Sequence, residues 1–169
     1  MAAARSARWF WLSLGIVAAD RATKSALEAY TPENYQRVLV PGLINLVHSH
    51  NPGIAFGLFA NLGSKWLTAA LVACSAAVIA LLCWLLATER GGGRRSKAGL
   101  ALILGGAVGN LIDRLLYGSV ADFFEIRLGS FHWPAFNVAD SAITIGAAFV
   151  VLELLLGRRQ PAGPIAGQG

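Results

Sequence analysis

Two aspartates, Asp122 and Asp140, have the type and setting that chemistry would need. Neither has a basic residue at a matching local spacing; Arg127 lies five residues past Asp122, on a stretch that reads as a strand. Two carboxylates brought together in a partly dry place cannot comfortably both ionise. One is pushed up in pKa, leaving one acid and one base at neutral pH. That pair can activate a water and protonate a leaving amide, and it can equally serve as part of a proton or ion pathway. Both chemistries stay open on these residues alone. Other polar groups come as local pairs: Asp20 and Lys24 at i,i+4, and Asn110 and Arg114 at i,i+4 with Asp113 in the same patch. Asp20–Lys24 and Asp113–Arg114 could do no more than neutralise charge and hold helices together. His48 and His50 alternate on a strand and read as surface histidines, for no HExxH or comparable metal set accompanies them. No Ser/His or Cys/His nucleophile arrangement has supporting context, and there is no phosphate loop. Cys74 and Cys83, nine residues apart on one helix, face opposite ways some 13 Å apart along the axis and cannot pair.

The elements that must position these residues are membrane helices. Of 169 residues, 56% are hydrophobic and only 14% charged, against about 25% charged in a soluble domain. Such a chain can scarcely coat a soluble globule, and it is too apolar for disorder. The uncharged run from Trp66 to Ala87 would make about 33 Å of helix, enough for a hydrocarbon core of about 30 Å. Weaker runs begin at Trp9, Ala98 and Asp140. The expected architecture is a single membrane domain over 1–169: an all-α core of four transmembrane helices, about 9–27, 66–87, 98–117 and 140–157, with a small extracytoplasmic β-sheet. Arg5, Arg8, Arg90, Arg94, Arg95, Lys97, Arg158 and Arg159 fall on one side of that topology, with Glu89 the one acid among them. By the positive-inside rule both termini are cytoplasmic and the loops 28–65 and 118–139 face outward. The net charge of +5 is then mostly an orientation signal, and with no basic stripe interleaved with aromatics, nucleic acid is not an expected partner. Arg5, Arg8, an apolar stretch and Val17-Ala18-Ala19 also resemble a cleavable signal peptide, which would leave the other three orientations unchanged.

The outward loops carry their own pattern. Tyr35 to Val40, a Pro41-Gly42 turn and Leu43 to His50 read as a hairpin, broken by Asn51-Pro52-Gly53, with Ile54 to Leu58 following. Phe123 to Leu128 reads as a further strand ending in a Gly129-Ser130 turn. Phe56, Phe59, Phe123, Phe124, Phe131, Trp133 and Phe136 make the sheet either an interfacial layer or a small soluble core above the membrane. Gly91 to Gly93 and the tail 158–169 read as flexible cytoplasmic segments.

Orientation brings the polar residues to one level. Helices one and three run outward, so Asp20, Lys24, Asn110, Asp113 and Arg114 sit at their outer ends; helix four runs inward, so Asp140 is at its outer start. Asp122 lies just beyond helix three. Glu153 alone departs, at the inner end, where it can snorkel. An ionisable group within a span costs roughly 2.5–3.5 kcal/mol on insertion scales and is a functional-site hypothesis by default.

Five segments, in order at the span boundaries, resemble the lipoprotein signal peptidases (signal peptidase II): Asp20-Arg-Ala-Thr-Lys24, Asn51-Pro-Gly-Ile-Ala-Phe56, Gly105-Gly-Ala-Val-Gly-Asn110-Leu-Ile-Asp-Arg114, Val120-Ala-Asp122-Phe123 and Phe136-Asn-Val-Ala-Asp140. The resemblance implies a bacterial inner-membrane aspartyl endopeptidase that removes signal peptides from diacylglyceryl-modified prolipoproteins, cutting before the lipidated cysteine. It implies that Asp122 and Asp140 are the catalytic dyad, that Asn51, Gly53, Asn110, Arg114 and Asn137 bind substrate or brace the dyad, and that Asp20 and Lys24 support it. It calls for no metal or organic cofactor, with the prolipoprotein and membrane lipids as partners and no obligate protein partner. The alternative kept from the charges alone is a small proton- or ion-coupled transporter.

Overall fold

The computed structural model of the chain describes residues 2–53 and 65–157. Four helices and four strands follow in the order α1 (Ala2–Tyr30), β1 (Gln36–Val40), β2 (Ile44–Asn51), α2 (Lys65–Ala87), α3 (Arg94–Tyr117), β3 (Val120–Leu128), β4 (Phe131–Phe136) and α4 (Val138–Gly157). The expected strand from Ile54, and with it Phe56 and Phe59, lies outside the described residues, as does the tail from 158.

Three helices, Trp66–Ala87, Arg94–Tyr117 and Val138–Leu156, are long and apolar enough to cross a membrane, and the chain is a multi-pass membrane protein. Its exterior is what lipid requires. Trp11 and Leu14 of α1, Val78 and Leu81 of α2, and Ile145, Val151, Leu152 and Leu154 of α4 are exposed, while Ser13, Asp20, Lys24, Asn110, Asp113 and Asn137 are buried. A soluble bundle has the opposite arrangement. α3 is the central element, packed against each of the other three helices. Its glycines let backbones meet: a Cβ at Gly106 would stand 2.4 Å from the carbonyl oxygen of Ala139, and one at Gly109 2.6 Å from Asp20 Oδ2. Small residues at such crossings are the usual route to tight helix packing in lipid. Trp9, Leu82, Leu86, Ala101 and Leu104 form an apolar core among α1, α2 and α3.

The strands join into one antiparallel sheet in the order β1-β2-β3-β4. The expected hairpin and further strand join in this one sheet, since β2 pairs with β3, Ser49 opposite Asp122 and Asn51 opposite Val120. Two junctions set the site. Gly118, at φ 74°, ends α3 with its N–H donated to the carbonyl of Arg114, a left-handed turn that costs glycine little. It sends the chain straight into β3. At the other end only Asn137 separates β4 from α4.

Several expectations change. His48 is buried, not a surface residue; its Nδ1 lies 3.0 Å from Thr31 Oγ1. Glu153 does not snorkel. It accepts the N–H groups of Gly93 (2.6 Å) and Ser96 (3.0 Å), capping the start of α3, and Gly93 is thereby held as that helix's N-cap rather than left as free loop.

Candidate active site

The site grows from the first turn of α4. Asn137 Oδ1 accepts the N–H of Asp140 (2.9 Å), and Asp140 Oδ2 accepts the N–H of Asn137 (3.3 Å). This reciprocal arrangement is a capping box made from Asn and Asp. The N–H of Ala139, next to it, donates to Asp20 Oδ1 at 3.0 Å. The free donors of this helix start are thus met by two carboxylates and an amide, and the cap fixes Asp140 in place.

Asn137 also ties the two aspartates together. Its Nδ2 lies 2.8 Å from Asp122 Oδ1, with the carbonyl of Ala121 at 3.2 Å and Asn110 Oδ1 at 3.3 Å. Asn110 Nδ2 donates to Asp140 Oδ1 at 2.8 Å. Asn51 Nδ2 donates to Asp122 Oδ2 at 3.3 Å, and Asn51 Oδ1 accepts the N–H of Gly53. Arg114 reaches the carbonyls of Gly53 (3.0 Å) and Asn110 (3.3 Å). Each residue expected at the site is in this network or directly behind it.

Behind it, Lys24 Nζ donates to Asp20 Oδ2 (2.8 Å) and Asn110 Oδ1 (3.1 Å) and forms an ion pair with Asp113 Oδ2 at 2.8 Å. Asp113 is also paired with Arg21. The sequence pattern placed Asp113 with Arg114; the fold pairs it across helices with Arg21 and Lys24 instead, because Arg114 turns toward Gly53. Arg21 was not singled out at all, although it lies three residues before Lys24 on one helix face. Arg127 is likewise not a partner of Asp122: it binds Glu125 at 2.8 Å. Burial works to raise the Glu125 carboxyl, but donors from Arg127, His132 and Asn45 outweigh it and hold the pKa down at about 2.

Asp122 and Asp140 open onto one cavity of about 460 Å³, shared with Asn51, Asn110 and Arg114 on the polar side. Its other wall is apolar and includes Ile126, Trp133, Phe136, Ile143 and Ile145. Asp122 is 3% exposed. Burial, then the charge of Asp140, push its pKa from 3.8 to about 7, against the hydrogen bonds from Asn51 and Asn137. No cluster of three or more metal-ligating side chains occurs among the described residues.

Residues 12–156 match the family described as Signal peptidase (SPase) II. The chain belongs to that family. Among similar proteins, the lipoprotein signal peptidase of Solibacter usitatus is 38% identical over 157 residues, covering 92% of this chain and 96% of its own. That of Paraburkholderia phymatum is 42% identical over 149 residues, 88% of each chain. Two solved bacterial membrane enzyme structures, determined by the in meso method, share the fold. They give TM-scores of 0.82 and 0.77 at 23% and 24% identity, covering 95% and 88% of this chain and 95% and 93% of theirs. This signal peptidase II thus has its matched region running from α1 to the end of α4, and every residue of the polar network described above falls within it.

Proposed function

We propose that Asp122 and Asp140 are the hydrolytic pair with which this aspartic-type signal peptidase removes signal peptides from prolipoproteins. The observation that carries the assignment is their shared cavity, bridged by Asn137 and Asn110 and otherwise lined with apolar side chains. The pair holds one proton between them. Asp122 keeps it, being buried and facing the charge of Asp140. Asp140 serves as the base, its two oxygens accepting the side-chain amide of Asn110 and the N–H of Asn137. Asp140 takes a proton from water as the oxygen attacks the scissile carbonyl; Asp122 donates to the carbonyl oxygen. The proton gained by Asp140 then goes to the leaving nitrogen, and as the C–N bond breaks the new carboxyl group returns a proton to Asp122. Arg114 and Asn51 hold the Gly53 segment against the cavity mouth, and Asn110 and Asn137 fix the two carboxylates. Asp20, Lys24, Asp113 and Arg21 form the neutral support behind them.

The topology follows from the same charges. α1 crosses the membrane as a fourth span, its Asp20 and Lys24 turned inward, while eight basic residues keep both termini in the cytoplasm. The dyad then lies at the outer face of the bacterial inner membrane. There the signal peptide can lie as a helix in the bilayer and the diacylglyceryl chains can reach the apolar wall, so cleavage falls before the lipidated cysteine. The whole chain acts as one membrane domain, needing no protein partner or cofactor.

The test is incubation of purified protein with a diacylated prolipoprotein, read by gel shift. Asp122→Asn and Asp140→Asn should each abolish processing while inserting normally. Full processing by either would overturn the dyad. Proton or ion flux in liposomes without cleavage would favour transport instead.

A further inference from the structure

A second cavity, of about 690 Å³, lies at the opposite end of the bundle from the aspartates. It is walled by Arg8 and Trp9 of α1, Arg94 and Arg95 at the start of α3, and Phe149 and Glu153 near the end of α4. Arg95 and Asn110 are separated by about 22 Å of α3, so the two cavities are distinct. We propose that this second cavity binds the phosphate of an anionic phospholipid in the leaflet facing away from the active site.

Three observations meet there. The first is charge. Arg8, Arg94 and Arg95 face the cavity, and no carboxylate pairs with them within ion-pair distance among the described residues. The one acid in the wall, Glu153, is already turned to the N–H groups of Gly93 and Ser96; it cancels the helix start rather than the arginines. Glu89, nearby in sequence, is bound by Lys97 and Ser6, with Arg8 acting on its charge only from beyond ion-pair distance. The second is an orphaned donor. Trp9 is 6% exposed, and its indole N–H is buried without a hydrogen-bond partner, a loss that a buried polar group normally avoids. Trp9 itself walls the cavity, so a turn of its ring would bring that N–H to a phosphate oxygen there. The guanidinium of Arg8 stacks 4.4 Å over the same ring and would meet the same anion. The third is the apolar flank: Leu12 and Phe149 line the cavity too, and Phe149 is 40% exposed on the outer surface of α4, where an acyl chain would run. A soluble anion has no use for that wall. An orientation signal alone would need only that the arginines stay in water; it would not gather them around a tryptophan N–H.

Native mass spectrometry of the full chain in neutral detergent tests this, with dioleoyl-phosphatidylglycerol, dioleoyl-phosphatidylcholine and inorganic phosphate as probes. Phosphatidylglycerol should bind roughly tenfold or more tightly than phosphatidylcholine, and the Arg94→Gln/Arg95→Gln double variant should lose that preference. Trp9→Phe, which keeps an aromatic ring but removes the indole N–H with its five-membered ring, should weaken phosphatidylglycerol binding about fivefold and leave phosphatidylcholine unchanged. The arginine double variant should keep wild-type unfolding temperature, Trp9→Phe should lower it only by what a smaller ring in the core costs, and both should keep prolipoprotein cleavage in detergent, which separates lost binding from lost folding. Equal binding of the two lipids, or a preference that survives the double variant, would overturn the proposal. Displacement of the lipid by millimolar inorganic phosphate would assign the cavity to a soluble anion and overturn it as well.

Discussion

Asp122→Asn should make the protein more stable above neutral pH while removing its activity. In the folded chain the Asp122 pKa is about 7, against 3.8 for the ordinary group. Between those values the folded protein holds a proton that the unfolded chain has released. Stability therefore falls as pH rises from about 4 to about 7 and is level beyond. About 3 pKa units at about 1.4 kcal/mol each make this loss about 4 kcal/mol. An asparagine bears no charge at either pH and escapes it. The substitution has a cost of its own, since one face of the new amide must present its NH₂ to Asn51 Nδ2 or Asn137 Nδ2, both of which are donors. That conflict costs about 1–2 kcal/mol. The net gain is about 2–3 kcal/mol at pH 8, and it reverses sign at about pH 5, where the loss equals the cost of the amide. At this chain length it corresponds to an unfolding temperature higher by roughly 4–12 °C. Thermal unfolding of both proteins by tryptophan fluorescence, in one detergent from about pH 4 to about pH 9, reads the difference directly. Parallel curves for the two proteins would refute the reasoning, because they would mean Asp122 does not carry the raised pKa.

The remaining predictions follow from the same contacts. Cleavage of a diacylated prolipoprotein should fall about tenfold per pH unit above about pH 7, as Asp122 loses the proton it donates; a level profile from pH 6 to pH 9 would contradict its role as the acid. Asn137→Ser keeps an oxygen to cap α4 but cannot span Asp122 and Asn110, whereas Asn137→Ala loses cap and bridge together. Both should lose most cleavage, and the alanine variant should be about 1 kcal/mol less stable than the serine variant in chemical unfolding. Lys24→Met leaves Asp20 and Asp113 buried without the cation between them. It should cost about 3–5 kcal/mol, read as reduced membrane abundance and a lower unfolding temperature.

Hydrophobic runs and turn residues made the bundle legible, because span length and the Gly-based turns are local properties. α2 shows this well: Trp66–Ala87 stands alone as an apolar run, and the helix occupies Lys65–Ala87. α1 was harder. Its buried face holds Ser13, Asp20 and Lys24 while Trp11 and Leu14 point outward, and among the described residues the helices that pass on length and composition are α2, α3 and α4. The candidate dyad was legible because neither aspartate has a local cation. What could not be read were partners chosen across helices. Asp113 with Arg21, Glu125 with Arg127 and His132, and Glu153 with the start of α3 all depend on how elements pack. The double use of Asn137 was equally hidden: Asn-Val-Ala-Asp is a cap signature by spacing, but its reach to Asp122 exists only once β3 lies beside α4.

Charge balance gives the proton on the dyad an independent argument. Asp20 and Asp113 are matched by Lys24 and Arg21, so the cluster behind the site is neutral. Among the described residues lining the cavity the cation is Arg114, set against Asp122 and Asp140. With both carboxylates ionised the site would carry a net negative charge beside an apolar wall, and a charge left uncompensated there is costly. With one proton it is neutral. Arg114 makes its hydrogen bonds to the carbonyls of Gly53 and Asn110 rather than to either aspartate. It therefore balances the charge of the pair without pairing directly with either carboxylate. A direct Arg–Asp pair at either position would hold that carboxylate as an anion and oppose the proton transfer proposed for it.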